Sequence, residues 1–216
     1  MYEEDNLPIY DGLTEEQREK ANQKYIAELP EKIENDPVRY LKRFGVPSKY
    51  MGASLTSFDG GSATIKLCWE YLKQPSGDIF ITGECGSGKT HIACAIVREL
   101  AKADKKAYFV SVPKLLMELR VSFKDGATQS ESDIINRYVN MPFLVLDDLG
   151  AEKTTEYSIT SLYLIIDKRI NDERPTVITT NLSLGQVEDV FGSRIASRLS
   201  GYKLWKLDMP DFRKGK

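Results

Sequence analysis

The sequence predicts an α/β protein with a five-stranded parallel sheet covered by helices on both faces and a short helical segment ahead of it. Three observations carry this. Five short apolar or β-branched runs, at 78–83, 106–112, 142–148, 176–181 and 203–208, alternate with segments of helical pattern. Near-continuous apolar strands separated by helices are the mark of a sheet buried on both sides. Residues 83–90 read GECGSGKT, the pattern G-x-x-x-x-G-K-[ST], between the first strand and a helix. The run FLVL at 143–146 ends in Asp147 and Asp148, at the kind of strand end where an α/β sheet gathers its ligands.

Length and composition set the limits. A chain of 216 residues, 41% apolar and 29% charged, suits one α/β domain with a short appendage. No apolar run approaches the ~20 residues of a membrane span. The acidic start MYEEDNLPIYDG lacks the layout of an export signal. Three scattered cysteines and one histidine exclude a zinc finger and a disulfide framework, so a cytoplasmic location is expected. Net charge is −2, but residues 1–36 hold eleven acids against four bases, and residues 194–216 seven bases against two acids. Such asymmetry permits a basic partner at one end and nucleic acid at the other; for charge patches alone, two solvated surfaces are the simpler explanation.

Taken in order, TEEQ at 14–17 is a capping box, followed by Ala21, Tyr25 and Leu29 on one helical face. Pro30 is expected to stop that helix. Asp36-Pro37 opens a second, shorter helix carrying Val38 and Leu41, and Gly45 closes it. The stretches GVPSKY and SFDGG read as linker and turn, which places a boundary between a 1–50 segment and a 51–216 domain. Ser62 is expected to cap a helix over 63–74 that turns Ile65, Trp69 and Leu72 to a core. Within the sheet region, helices are expected at 89–103, 113–124, 131–140, 156–172 and 187–199.

The glycine-rich turn carries the chemistry. Backbone N–H groups over Gly83, Glu84, Cys85, Gly86, Ser87 and Gly88 would surround a phosphate, and the following helix N-terminus favours the anion. Lys89 would reach the β- and γ-phosphates, and the Thr90 hydroxyl would bind Mg²⁺. Cys85 reads as a small residue that fits the loop, and His91, alone on its helix, as a packed or capping residue. Asp147 would hold the metal and Asp148 would polarise the attacking water. Asn181, ending the fourth strand, would hydrogen-bond the γ-phosphate or that water. Arg194 and Arg198, four apart on one helix face, suit developing phosphoryl charge, and Arg213 is a further candidate for sensing the γ-phosphate.

The set GECGSGKTHIACAI, FLVLDDLGAE, TVITTNL, GSRIASRL and DMPDFR resembles the AAA+ ATPases of the DnaC-type helicase loaders and the related IstB transposition helpers, over roughly residues 43–213. The resemblance implies Lys89 and Thr90 as Walker A, Asp147 as the Walker B carboxylate, and Asp148 at the position of the catalytic acid. It implies Asn181 as sensor 1, Arg198 as an arginine finger with Arg194 beside it, and Arg213 as sensor 2. It also implies strand order 5-1-4-3-2, ATP and Mg²⁺ as ligands, and self-association into a ring or spiral, since a finger serves a neighbouring subunit. The short stretch after the last strand implies a reduced helical lid.

The function expected from this is an ATP-dependent DNA replication factor that loads a replicative helicase onto single-stranded DNA. Its acidic segment before residue 50 would contact the helicase. The segment 118–132, with Phe123 and Lys124, corresponds to a DNA-contacting region in the loaders, or is a solvated loop. Two alternatives are a transposition helper ATPase and a nucleotide-gated interaction module with little hydrolysis. The acidic rather than basic N-terminal segment favours the loader.

Overall fold

A computed structural model describes residues 14–124, 126–151 and 154–212. Five parallel strands form one sheet: β1 (Ile79–Gly83), β2 (Ala107–Ser111), β3 (Phe143–Leu149), β4 (Thr176–Thr180) and β5 (Lys203–Leu207). Their order is β2-β3-β4-β1-β5, the expected 5-1-4-3-2 read from the other edge. The first-strand and fourth-strand chains run side by side from Ile79 opposite Val177 to Thr82 opposite Thr180.

Alternation along the strands divides the core in two. Ile79, Ile81, Phe109, Val145, Val177 and Trp205 face one layer of helices: α1 (Glu15–Asn35), α2 (Pro37–Leu41), α3 (Ser62–Lys73) and α4 (Lys89–Lys102). Phe80, Val110, Leu144, Leu146 and Ile178 face the other layer: α5 (Val112–Val121), α6 (Glu131–Asn140), α7 (Glu156–Asn171), α8 (Leu184–Phe191) and α9 (Ser193–Leu199). Because side chains alternate with period two, one apolar run supplies both cores.

Several helix boundaries differ from expectation. The α1 capping box forms, with Gln17 N–H donating to Thr14 Oγ1 and Thr14 N–H to Gln17 Oε1. Pro30 does not end α1, which runs on to Asn35. Tyr25, Leu29 and Ile33, spaced by four, lie buried in the same cluster as α4, and that burial outweighs the one backbone bond proline removes. The continuation brings Glu34 to Arg98 and Lys102 of α4, each at 2.5 Å, while Arg98 also donates to the Met51 carbonyl. Asp36 caps α2 through the Arg39 N–H, with Pro37 at the first position, as expected.

In α3, Gly61 rather than Ser62 holds the cap position. Cys68 is the buried residue, Ile65 and Leu72 pack at the margin, and Trp69 is turned out to solvent. The helix contributes its edge rather than a full face. Expected helix 113–124 ends at Val121, so the first residues of the 118–132 stretch are helical. Expected helix 187–199 is two helices, α8 and α9, parted by Gly192 at φ +83°, a conformation that L side chains rarely adopt. Among the described residues no helix is long and apolar enough to cross a membrane.

Candidate active site

The phosphate loop lies between β1 and α4, as its pattern requires. Gly86 sits at φ +82°, and a Cβ there would stand 1.7 Å from Asp211 Oδ1, so only glycine allows both the turn and the close approach of residues 211–212. Phe212 N–H donates to the Gly86 carbonyl. Ser87 is wholly buried, and its hydroxyl has no hydrogen-bond partner. Lys89 is buried at the first position of α4, where its Nζ donates to the carbonyl oxygens of Gly83 and Glu84, both at 2.8 Å. Its ammonium is thus held across the loop it belongs to.

Three strand ends meet the loop. Asp147 on β3 is 2% exposed; its Oδ2 accepts from Thr90 Oγ1 at 3.1 Å and its Oδ1 from Thr179 Oγ1 at 2.6 Å. Burial pushes its carboxyl up to about 6; the Thr179 bond opposes this and the Asp148 charge adds to it. Thr90 and Asp147 therefore present two hard oxygen donors side by side, the donor type Mg²⁺ takes, and fit that ion.

Asp148 is exposed and adopts φ +59°, where the β3–β4 ladder shifts register between Leu146 and Leu149. Its N–H donates to Thr179 Oγ1. The bulge separates two successive acids, one buried at the sheet end and one exposed to solvent. Asp and Asn tolerate this left-handed backbone better than longer residues, which gives a physical reason for Asp rather than Glu at 148. Asn181, just past β4, is exposed and donates through Nδ2 to Cys85 Sγ at 3.8 Å, so it reaches the loop.

The structure thus gathers the loop residues, Asp147, Asp148 and Asn181. Arg194 and Arg198 are exposed on α9, where Arg198 pairs with Asp167 of α7 at 2.6 Å. Arg213 lies outside the described residues. His91 points to the segment before α3: a carbonyl only accepts, so Nε2 donates to Ser54 O at 2.9 Å. Phe58, from the SFDGG turn, packs against the His91 ring and against Gly88.

Two contributors escape sequence reading. Thr179 orients Asp147 and anchors Asp148; its signal is its place on the fourth strand, near the end that carries Asn181. Phe58 walls the loop and carries no signal beyond being aromatic in a polar turn.

The family described as IstB-like ATP binding protein matches residues 67–199. The replicative helicase loader DnaC of Escherichia coli strain K12 is 26% identical over 175 residues, 77% of this chain and 71% of that protein. DnaC of Buchnera aphidicola subsp. Schizaphis graminum is 25% identical over the same length. Among solved structures, the DnaC helicase loader superposes with TM-score 0.66 at 22% identity, over 75% of this chain and all of that one. DnaA bound to AMPPCP and single-stranded DNA gives 0.65 at 22% identity, over 76% of this chain and 51% of that one, and so shares the fold.

Proposed function

The chain belongs to the family of IstB-like ATP binding proteins, and on that premise we propose that it is an ATPase that loads a replicative helicase onto single-stranded DNA. The observation that carries the ATPase part is the meeting of Thr90 and Asp147 at 3.1 Å beside the buried Lys89. In this reading the loop amides and Lys89 grip the β- and γ-phosphates of ATP. Thr90 and Asp147 would hold Mg²⁺, which would supply charge neutralisation at the phosphate oxygens. Asp148, exposed to solvent, orients and polarises the attacking water, and Asn181 fixes that water or the γ-phosphate. Arg198, with Arg194 beside it, serves the ATP of a neighbouring copy in a ring or spiral, where a permanent delocalised cation meets the charge of the transition state. Binding and hydrolysis then set when the assembly forms and when it releases its cargo.

The loader part is supported by the two DnaC relatives, which match over about seven-tenths of the Escherichia coli protein's length. It is also supported by two surfaces. Glu15, Glu16 and Glu19 are exposed on the first turns of α1; Glu16 pairs with Lys20 at 2.7 Å, which leaves Glu15 and Glu19 as the acids most open to a basic partner. At the far end of α5, Met117, Val121 and Phe123 are exposed beside Arg120 and Lys124. Phe123 is held edge-on by Tyr157 at 5.3 Å, which leaves a ring on which a base can stack beside cations for the phosphates.

Lys89→Ala is expected to weaken ATP binding by about 100-fold, the effect of losing charge-assisted hydrogen bonds worth roughly 3 kcal/mol. Calorimetric titration with undiminished affinity would remove the site. The loader role is tested by capturing partners of the whole protein from its host with ATP and Mg²⁺. A variant with Glu15, Glu16 and Glu19 changed to Lys serves as control, because deleting 1–50 would strip Leu29, Ile33 and Leu41 from the core. Recovery of a replicative helicase that the variant loses supports the loader; recovery of a transposase moves the same ATPase to transposition.

A further inference from the structure

Arg198 does not lie loose on the surface. Its Nε sits 2.6 Å from Asp167 Oδ1, and the two side chains are 42% and 24% exposed, so the acid is the more enclosed partner. Asp167 is itself held: Oδ1 is shielded from solvent and meets Arg198 as a charge pair rather than a directed hydrogen bond, and Oδ2 accepts from Asn171 Nδ2 one turn on. Tyr163 stands one turn before Asp167 on the same face of α7. Its hydroxyl, and then the Asp167 charge, favour the charged form of Arg198.

The position of this contact on the guanidinium matters. An acid at Nε engages the edge nearest the chain and steers the Nη end, the part that reaches a phosphate in a bidentate contact. An unrestrained arginine loses much rotamer freedom when it is immobilised, and that loss subtracts from whatever it contributes to a transition state. A carboxylate paired with the guanidinium at close range, on a packed helix, removes part of that freedom beforehand. The rigid backing is real: α7 contributes Leu162, Ile165 and Ile166 to the buried core, and α9 contributes Ile195 and Leu199.

We propose that Asp167, backed by Tyr163 and Asn171, is a positioning residue that presents Arg198 to the nucleotide of a neighbouring copy. This rests on Arg198 acting in trans. Asp167 does not touch nucleotide; it acts through the arginine.

The test is a double-mutant cycle on the whole protein, with Arg198→Ala, Asp167→Ala and both together. ATP turnover is followed against protein concentration, ATP affinity is measured separately, and circular dichroism melting confirms folding. Asp167→Ala is expected to lower concentration-dependent turnover about tenfold, equivalent to roughly 1.4 kcal/mol, with ATP affinity unchanged. It should add nothing to Arg198→Ala, and Asp167→Glu should restore part of the loss. Should Asp167→Ala melt early, Asp167→Asn keeps the shape, removes the charge and carries the same expectation.

Unchanged or raised turnover in Asp167→Ala, with Arg198→Ala still defective, overturns the positioning role alone. So does an equal further loss in the Arg198→Ala background, which marks a purely structural effect. If Arg198→Ala itself turns over normally, the trans reading fails and the positioning role falls with it.

Discussion

Arg169→Leu is expected to cost about 3–5 kcal/mol of folding stability, because several hydrogen bonds from a charged donor are lost and their acceptors are left buried. Arg169 is fully buried, yet it serves six acceptors. Its Nη1 donates to the carbonyls of Tyr138, Val139 and Met141 at 2.7–3.0 Å, its Nη2 to those of Arg174 and Pro175, and its Nε to Thr176 Oγ1. It thereby caps the C-terminal end of α6 and ties α7 to the entrance of β4. Burial lowers its pKa to about 10, so it remains charged at neutral pH. Leucine fills some of the volume but strands the carbonyls, each at its full desolvation cost. Lysine, with three donors, cannot serve all six acceptors. Urea unfolding should show the midpoint falling steeply for Arg169→Leu and in part for Arg169→Lys. A loss under about 1 kcal/mol for the leucine variant would contradict this role.

Asp147→Asn should move stability the other way. In the native fold the Asp147 carboxyl is raised to about 6, above its ordinary 3.8, chiefly by burial. A group raised in the folded state favours folding fully below its unfolded pKa, and that contribution is lost as pH climbs through the folded value. Between pH 3.8 and 6 the unfolded chain has already released this proton, and by pH 7 the native state carries the whole cost of a buried charge. The gap between the two values corresponds to about 3 kcal/mol, an upper figure for the gain on substitution. Asparagine keeps the shape and can still accept from Thr179 or Thr90. Without Mg²⁺ and nucleotide, Asp147→Asn is expected to raise stability at pH 7 by about 1–3 kcal/mol, with the gain vanishing toward pH 4. Magnesium-dependent ATP turnover should be lost in the same variant. A gain that ignores pH, or no gain at all, would mean the carboxylate is better compensated than its burial implies.

The strands were legible because strand burial writes itself into composition: FLVL and TVIT admit few other readings; their order came only from the family resemblance, since apolar runs do not say which strands are neighbours. The phosphate loop and Asp147 were legible because their chemistry demands fixed residues at fixed spacing. What the sequence hid depends on contacts between distant segments. Pro30 reads as a stop unless it is known that Leu29 and Ile33 bury against α4. Trp69 reads as core until the docking of α3 through Cys68 is seen. Arg169 lies in DKRINDER, a run that looks solvated, and nothing local distinguishes it from its neighbours. Asp148 was singled out from its place beside Asp147, but its left-handed backbone, and with it the reason for Asp, comes from the ladder shift. Asp167 carried no sign that it would meet Arg198.

The central claim is that one copy of this chain completes the ATP site of another. The most direct measurement mixes two impaired variants, at ATP below the weakened affinity of the first: Lys89→Ala, which binds ATP about 100-fold more weakly but keeps Arg198, and Arg198→Ala, which holds ATP but lacks the arginine. Each alone should turn over little ATP at any protein concentration. Mixed, they should regain turnover that rises with concentration, because a Lys89→Ala subunit lends its arginine to the ATP of its neighbour. A mixture no more active than its components, while wild-type protein hydrolyses ATP under the same conditions, would contradict the claim.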